Sequence, residues 1–107
     1  MTRVHYLHIM ERGGYVYIIT NKNHTTLYTG VTSELRNRIY QHKTKAFPHS
    51  FTSKYNCDKL VYFIGFPSIE EAIAEEKRIK GGSRQDKIDL INKMNPGWKD
   101  LYDDISE

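Results

Sequence analysis

The sequence predicts a small α/β (α+β) domain: a three-stranded mixed or antiparallel sheet flanked by helices, in the order β-β-α-β-α-α. Three patterns carry this expectation. Residues 15–31 have the composition of a β-hairpin, an apolar run fills Leu60 to Phe66, and helix-period stretches precede and follow that run. A chain of 107 residues suffices for one domain, and 38% hydrophobic with 27% charged residues allows one modest core.

Met1 to Arg12 lack periodicity and read as a flexible leader, in which His5 and His8 are too few ligands to argue a metal site. After Gly13 and Gly14, the run Tyr15-Val16-Tyr17-Ile18-Ile19-Thr20 is rich in β-branched and aromatic residues and reads as a strand. Asn21 to His24 is a turn cluster, and Thr25 to Val31 returns as the second strand. Thr32 or Ser33 caps a helix over 34–45 whose buried stripe is Leu35 and Ile39. Around Pro48 the pattern breaks, and 46–59 reads as a basic, aromatic loop. Leu60 to Phe66 is apolar throughout, as in a strand covered on both faces and hence central. Ser68 and Glu71 have capping-box spacing and open a helix that stops at Gly81-Gly82. Ser83 starts the last helix, with Ile88, Ile91 and Met94 inward and Pro96 limiting it at Asn95. The domain is therefore expected over 13–102, followed by an acidic tail at 103–107.

Composition narrows the function classes. No apolar run approaches the roughly 20 residues that cross a bilayer, so no membrane role is expected. The start also lacks a signal-peptide pattern. One cysteine, Cys57, excludes a disulfide framework or a cysteine-based zinc cluster, which makes a cytoplasmic setting the default. Sixteen Lys and Arg against thirteen Asp and Glu give a net +3. Four of the acids, Asp100, Asp103, Asp104 and Glu107, fall in the last eight residues, so residues 1–99 hold sixteen bases and nine acids, or +7. Such a body favours a polyanion such as nucleic acid.

Several residues fit this fold badly. On the second helix, with Ile69 at zero, Ile73 lies at about 40°, Ala72 at about 300° and Glu76 at about 340°, so a carboxylate sits on the apolar stripe. Unpaired, it would cost several kcal/mol. Either it pairs with Lys80 one turn on, or it lines a cleft and binds a cation. On the first helix, Arg38 at about 300° and His42 at about 340° flank the same boundary. Arg38 either snorkels to a carboxylate or meets a phosphate, and His42 is structural or chemical. Eight tyrosines are many for this length, and Tyr15, Tyr17 and Tyr28 all fall on the hairpin, where packing is the ordinary explanation.

Taken together, these positions resemble the GIY-YIG nuclease superfamily. Tyr15-Val16-Tyr17 and, after ten intervening residues, Tyr28-Thr29-Gly30 match its paired motifs. Arg38 follows eight residues past Gly30, His42 one turn later, Glu76 on the next helix after a strand, and Asn95 before Pro96. The closing Asn95-Pro96-Gly97-Trp98-Lys99-Asp100-Leu101-Tyr102 is similar to the ending of small single-domain bacterial members related to the N-terminal nuclease domain of the excinuclease C subunit. The resemblance spans about 15–102. Tyr15 stands where the family has Gly, Thr29 where it has Ile, and Val31 where some relatives carry a lysine, whose role is either missing here or supplied by Lys43 or Lys54.

The resemblance implies a metal-dependent endonuclease acting on DNA, in repair or processing, with a non-catalytic or partner-dependent nucleic-acid-binding module as the alternative. It implies that Glu76 holds one divalent cation, Mg²⁺ or Mn²⁺, whose remaining ligands are water and substrate phosphate, so that the site fills only with substrate. Arg38 would contact the scissile phosphate. Tyr17 would be general base, its phenolate brought within reach by the cation and the guanidinium, with Tyr28 as alternative base or positioning partner. His42 would orient water or shuttle a proton, Asn95 would support the site, and Gly30 would leave room for close backbone approach. Lys43, Lys45 and Lys54 are interleaved with Phe47, Phe51 and Tyr55. That segment is either a DNA contact, cations on phosphates and rings on unpaired bases, or a surface loop whose rings tuck under the sheet. An isolated catalytic domain of this size also calls for a partner protein for targeting.

Overall fold

The computed structural model describes residues 12–106. The leader, apart from Arg12, lies outside the described residues, and with it His5 and His8. Strands β1 (Gly14–Thr20) and β2 (Leu27–Thr32) form the expected hairpin, followed by helix α1 (Leu35–Lys43), a short helix α2 (Phe51–Lys54), strand β3 (Lys59–Phe66), and helices α3 (Ile69–Lys80) and α4 (Arg84–Met94). A 3₁₀ turn, Tyr102–Asp104, comes last. The three strands form one antiparallel sheet in the order β2-β1-β3.

The central strand is thus β1, which corrects the expectation for Leu60 to Phe66. All of β1 except Tyr15 is buried, whereas β3 is buried only at Leu60, Val61 and Tyr62, and Ile64 is 39% exposed. An apolar run reports hydrophobicity, and it cannot tell a doubly paired strand from an edge strand with one half left open. Ile18 pairs with Tyr62 and Ile19 with Leu60, which leaves Val61 as the extra residue of a bulge.

Alternation along β1 divides the core in two. Val16 and Ile18 meet Ala72 and Ile79 of α3 and Ile91 of α4. Tyr17 and Ile19 meet Leu35 and Ile39 of α1, together with Cys57, Leu60, Leu101 and Ile105. Burial pushes the Cys57 thiol up to about 11, and Asp58 adds to the shift, so this side chain is neutral packing material. The inward face of α4 is narrower than expected: Ile91 is buried, Ile88 half-buried, and Met94 exposed. On α3 the buried stripe is Ala72, Glu76 and Ile79, and Ile73 is largely exposed.

Helix starts follow local chemistry with two differences. Neither Thr32 nor Ser33 occupies the N-cap of α1; that position is Glu34, whose amide donates to the Thr32 hydroxyl at 3.0 Å. At Ser68 the hydroxyl caps the Glu71 amide, but the reciprocal capping box belongs to Ser83 and Asp86. The stretch read as loop carries α2, capped by the Ser50 hydroxyl. Four residues are too few to leave a periodic signal. The chain end is also part of the body: Ile105, assigned from sequence to the acidic tail, is 5% exposed in the core, and its carbonyl accepts from Arg36.

Asn95 is buried, its side-chain amide donating to the Val61 carbonyl at 3.1 Å and the Lys99 carbonyl at 2.8 Å. It ties the end of α4 to the bulge of β3, on the sheet face opposite Tyr17. Its Oδ1 also accepts from the Lys99 amide at 3.2 Å, so all these partners are backbone groups and any support it lends the site passes through β3.

Thr29, opposite Ile18, is buried with its hydroxyl lacking a partner among the described residues. Replacing that hydroxyl with a methyl removes a desolvated donor without changing shape. Thr29→Val is expected to raise stability by about 1 kcal/mol, read as a higher urea midpoint at unchanged slope.

Candidate active site

The site begins with a tyrosine laid over a glycine. Tyr17 and Gly30 are directly opposed across the hairpin, and a methyl on Gly30 would overlap the Cζ and Oη of the Tyr17 ring. The missing side chain therefore makes room for a phenol ring, where close backbone approach was the expectation. Tyr15 uses the same device on the other side, its Cε2 3.0 Å from where a Cβ on Gly65 would stand. This explains how a tyrosine is accommodated there. Tyr28, two residues before Gly30, shares the Tyr17 face, with ring centroids 6.4 Å apart.

Helix α1 supplies the next shell. One turn apart, Arg38 and His42 project toward the hairpin from the boundary of its buried face. The Tyr17 hydroxyl lies 2.8 Å from His42 Nε2, and His42 Nδ1 lies 3.0 Å from the Thr52 hydroxyl on α2. Both ring nitrogens are engaged, so a neutral imidazole donates at one and accepts at the other. Burial, reinforced by the Arg38 charge, pushes His42 down to about 4. Arg38 Nε donates to Gln41 Oε1 at 3.1 Å. Tyr28, Arg38, His42 and Thr52 border one cleft of about 200 Å³, which Phe47 and Phe51 also line.

Tyr17 is 1% exposed, and its phenol is held well above the usual range, by burial first and then by Tyr28. Arg38 opposes the shift and Glu76 adds to it. In the protein alone, desolvation outweighs the guanidinium at Tyr17, so the positive charge of Arg38 by itself does not bring the phenolate within reach. Tyr28, half-buried at the cleft wall, is the phenol with access to a ligand.

Glu76 is 9% exposed, as its place on the stripe of α3 requires. Both readings of it meet in one geometry. Its Oε2 pairs with Lys80 Nζ at 2.8 Å, and that ammonium also lies 5.8 Å from the centroid of the Tyr28 ring. The carboxylate raises the Lys80 pKa. The pair thus lies beside Tyr28 and within electrostatic reach of Tyr17, although α3 packs Ala72 and Ile79 against the opposite face of the sheet. Lys80 is a site residue that sequence reasoning used only as a neighbour for Glu76; its spacing was visible, its reach to Tyr28 was not.

The lysines expected at nucleic acid divide. Lys43 donates to the Asp58 carbonyl at 2.9 Å, pairs with Asp100 and lies over the Tyr102 ring, so it faces the chain end and cannot stand in for a lysine beside Gly30. Lys45 reaches Asn56, and Lys54 is exposed at the end of α2. Among the described residues no three His, Cys, Asp or Glu side chains converge. A cation here would have Glu76 as its one protein carboxylate. That buried carboxylate is already paired with Lys80, so it would hold a hard divalent ion, completed by water and phosphate, once the ammonium gives way.

A sheet that presents paired tyrosines across from α1 and α3 defines a class of protein. The chain belongs to the GIY-YIG catalytic domain family, whose model matches residues 13–95. This is a nuclease family whose members act on nucleic acid and generally use a divalent metal. Within it, the chain is similar to small single-domain UPF0213 proteins. That of Syntrophus aciditrophicus is 34% identical over 82 residues, covering 77% of this chain and 92% of the relative. That of Clostridium perfringens is 38% identical over 78 residues, covering 73% and 82%. The solution structure of the UPF0213 protein BH0048 from Bacillus halodurans, 31% identical, covers 82% of this chain and 92% of its own at a TM-score of 0.52. Among the described residues no helix is long and apolar enough to cross a membrane.

Two measurements check this geometry. Gly30→Ala drives a methyl into a buried ring and is expected to cost about 1–3 kcal/mol in chemical denaturation, with loss of the Tyr17–His42 contact by NMR. For His42, the unfolded chain takes up a proton near the ordinary histidine value of 6.5 and the folded chain only near 4. Its contribution to stability is therefore complete above 6.5 and lost as pH falls from there toward 4. Imidazole titration by NMR should show this value, and Arg38→Met should move it upward.

Proposed function

We propose that this protein is a metal-dependent endonuclease that hydrolyses DNA phosphodiester bonds and serves DNA repair or processing. One observation carries the reading: Tyr28, Arg38 and His42 border a single cleft, and the buried Glu76 connects to its Tyr28 wall through Lys80. Hydrolysis forms a bond from water oxygen to phosphorus and breaks the bond to the leaving sugar oxygen. The water's proton must go to a base, and the leaving oxygen must gain one.

Arg38 binds the scissile phosphate and offsets charge growing on its non-bridging oxygens. Tyr28 takes the water's proton if it acts as phenolate, or positions the water as a hydroxyl, from the cleft wall. Tyr17, buried and hydrogen-bonded, holds His42 in place, while Thr52 fixes the other side of the imidazole. Neutral near pH 7, His42 relays a proton through its two hydroxyl partners. Glu76 would hold the Mg²⁺ or Mn²⁺, which supplies charge neutralisation at the phosphate and the leaving oxygen. Asn95 steadies the scaffold through β3, and Lys54, Lys45 and Arg38 track the backbone. Lys43 contributes to nucleic-acid binding only if its Asp100 pair opens. A partner protein for targeting belongs to this reading, as does a cytoplasmic site of action.

The alternative, a non-catalytic or partner-dependent binding module, is favoured by one feature: Lys80 already neutralises Glu76. Nicking of supercoiled plasmid with Mn²⁺ separates the two. Wild type should nick, Glu76→Ala and Arg38→Ala should lose about 10²-fold or more, and chelation should abolish the activity. Equal nicking by all three proteins overturns the mechanism, and salt-sensitive binding without nicking establishes the binding module.

A further inference from the structure

Between Glu34 and Asp58 the chain has no carboxylate, while it has Arg36, Arg38, Lys43, Lys45 and Lys54. Arg36 and Lys43 turn to the chain end, where Tyr102 lies under both. Arg38, Lys45 and Lys54 remain with the segment that carries α2. This segment also bears aromatic rings, and they do not tuck under the sheet: Phe47 is 60% exposed, Phe51 49% and Tyr55 45%. They form a continuous series with the site. Tyr28 meets Phe51 at 6.1 Å between centroids, and Phe51 meets Tyr55 at 4.7 Å. Phe47 and Phe51 border the same cleft as Arg38.

The series is held in shape. Lys45 and Asn56, both with left-handed backbone at φ 54° and 57°, are joined by the lysine ammonium and the asparagine oxygen, which closes the ends of the segment on each other. Ser50 caps α2, the Cys57 amide returns to the Thr52 carbonyl at 2.8 Å, and Cys57 itself is anchored in the core. Exposed rings on a restrained platform lose little entropy when a ligand stacks on them. Paired bases hide their faces in the duplex stack, so such rings have nothing to bind there, whereas unpaired bases offer a π-face at every step.

We propose that Phe47, Phe51 and Tyr55 form a stacking shelf for unpaired nucleotides, which lays a single-stranded segment of nucleic acid past Arg38 into the cleft. This deepens the nuclease reading and rests on it for the identity of the cleft. Substrate selection is then by strand state, with phosphates on Lys45, Lys54 and Arg38 and bases on the rings, without sequence readout. DNA and RNA share this chemistry.

The test is binding with no turnover. Fluorescence anisotropy in EDTA would compare a labelled single-stranded DNA, its duplex, and a single-stranded RNA of the same sequence. Wild type and Glu76→Gln should bind a single strand at least about tenfold more tightly than the duplex. The pair Phe51→Leu with Tyr55→Leu keeps the apolar bulk but removes the π-faces, and Phe47→Ala alters a side chain too exposed to matter for folding. Each should lose about fivefold or more on single strands and less than twofold on duplex. Whichever of the DNA and RNA strands binds more tightly names the source. Equal affinity for single strand and duplex, or equal losses on both in correctly folded variants, overturns the shelf. Plasmid nicking that survives such a result would leave the nuclease reading standing, and strand preference without any nicking would leave the shelf standing alone.

Discussion

The placement of the Tyr17 ring over Gly30 is the constraint on which the rest depends. A central strand must be buried on both faces, and here one of those faces is polar at its tip: a phenol in a site almost closed to water. A buried hydroxyl needs a partner, and His42 is that partner. The imidazole in turn needs its second nitrogen satisfied, which brings in Thr52 and with it α2. One missing side chain on β2 thus orders a chain of polar contacts that runs through the first helix into the segment beyond it. The wall of the cleft is a by-product of satisfying a buried tyrosine.

Electrostatics gives the site its second property. Positive groups, Arg38 and Lys80, surround two phenols and one carboxylate, and desolvation works against charge on Tyr17 and His42 alike. Both stay neutral near pH 7, so the fixed charges of the site are Arg38, Lys80 and Glu76. With Glu76 and Lys80 cancelling, the net charge that a phosphate meets is the guanidinium.

Sequence periodicity carried much of this. The 100° step placed Glu76 on the buried stripe of α3, and β-type composition put Tyr17 and Tyr28 on the hairpin, while the face they share follows from its register. What stayed hidden depended on partners distant in the chain. Strand order is decided by pairing, so the apolar β3 passed for the central strand while β1 occupied that place. Lys43 lay in a basic run and read as a DNA contact, but Asp100, brought close by the chain end, decides its direction. The two states open for Phe47, Phe51 and Tyr55, buried or displayed, had equal local support, since α2 is shorter than the period that would reveal it. Ile105 sat among acids and read as tail because a single apolar residue has no pattern.

That last residue fixes how the domain can be joined to anything else. Leu101 and Ile105 complete the layer that covers α1, and Arg36 holds the Ile105 carbonyl. The fold therefore closes with its final turn, much as a lid seats after the box is filled. A fusion that began at residue 103 would open the core beneath the helix bearing Arg38, whereas a linker leaving beyond Ile105 would depart from an exposed surface at Ser106. A linker attached at that point leaves the face with Arg38 and His42 undisturbed.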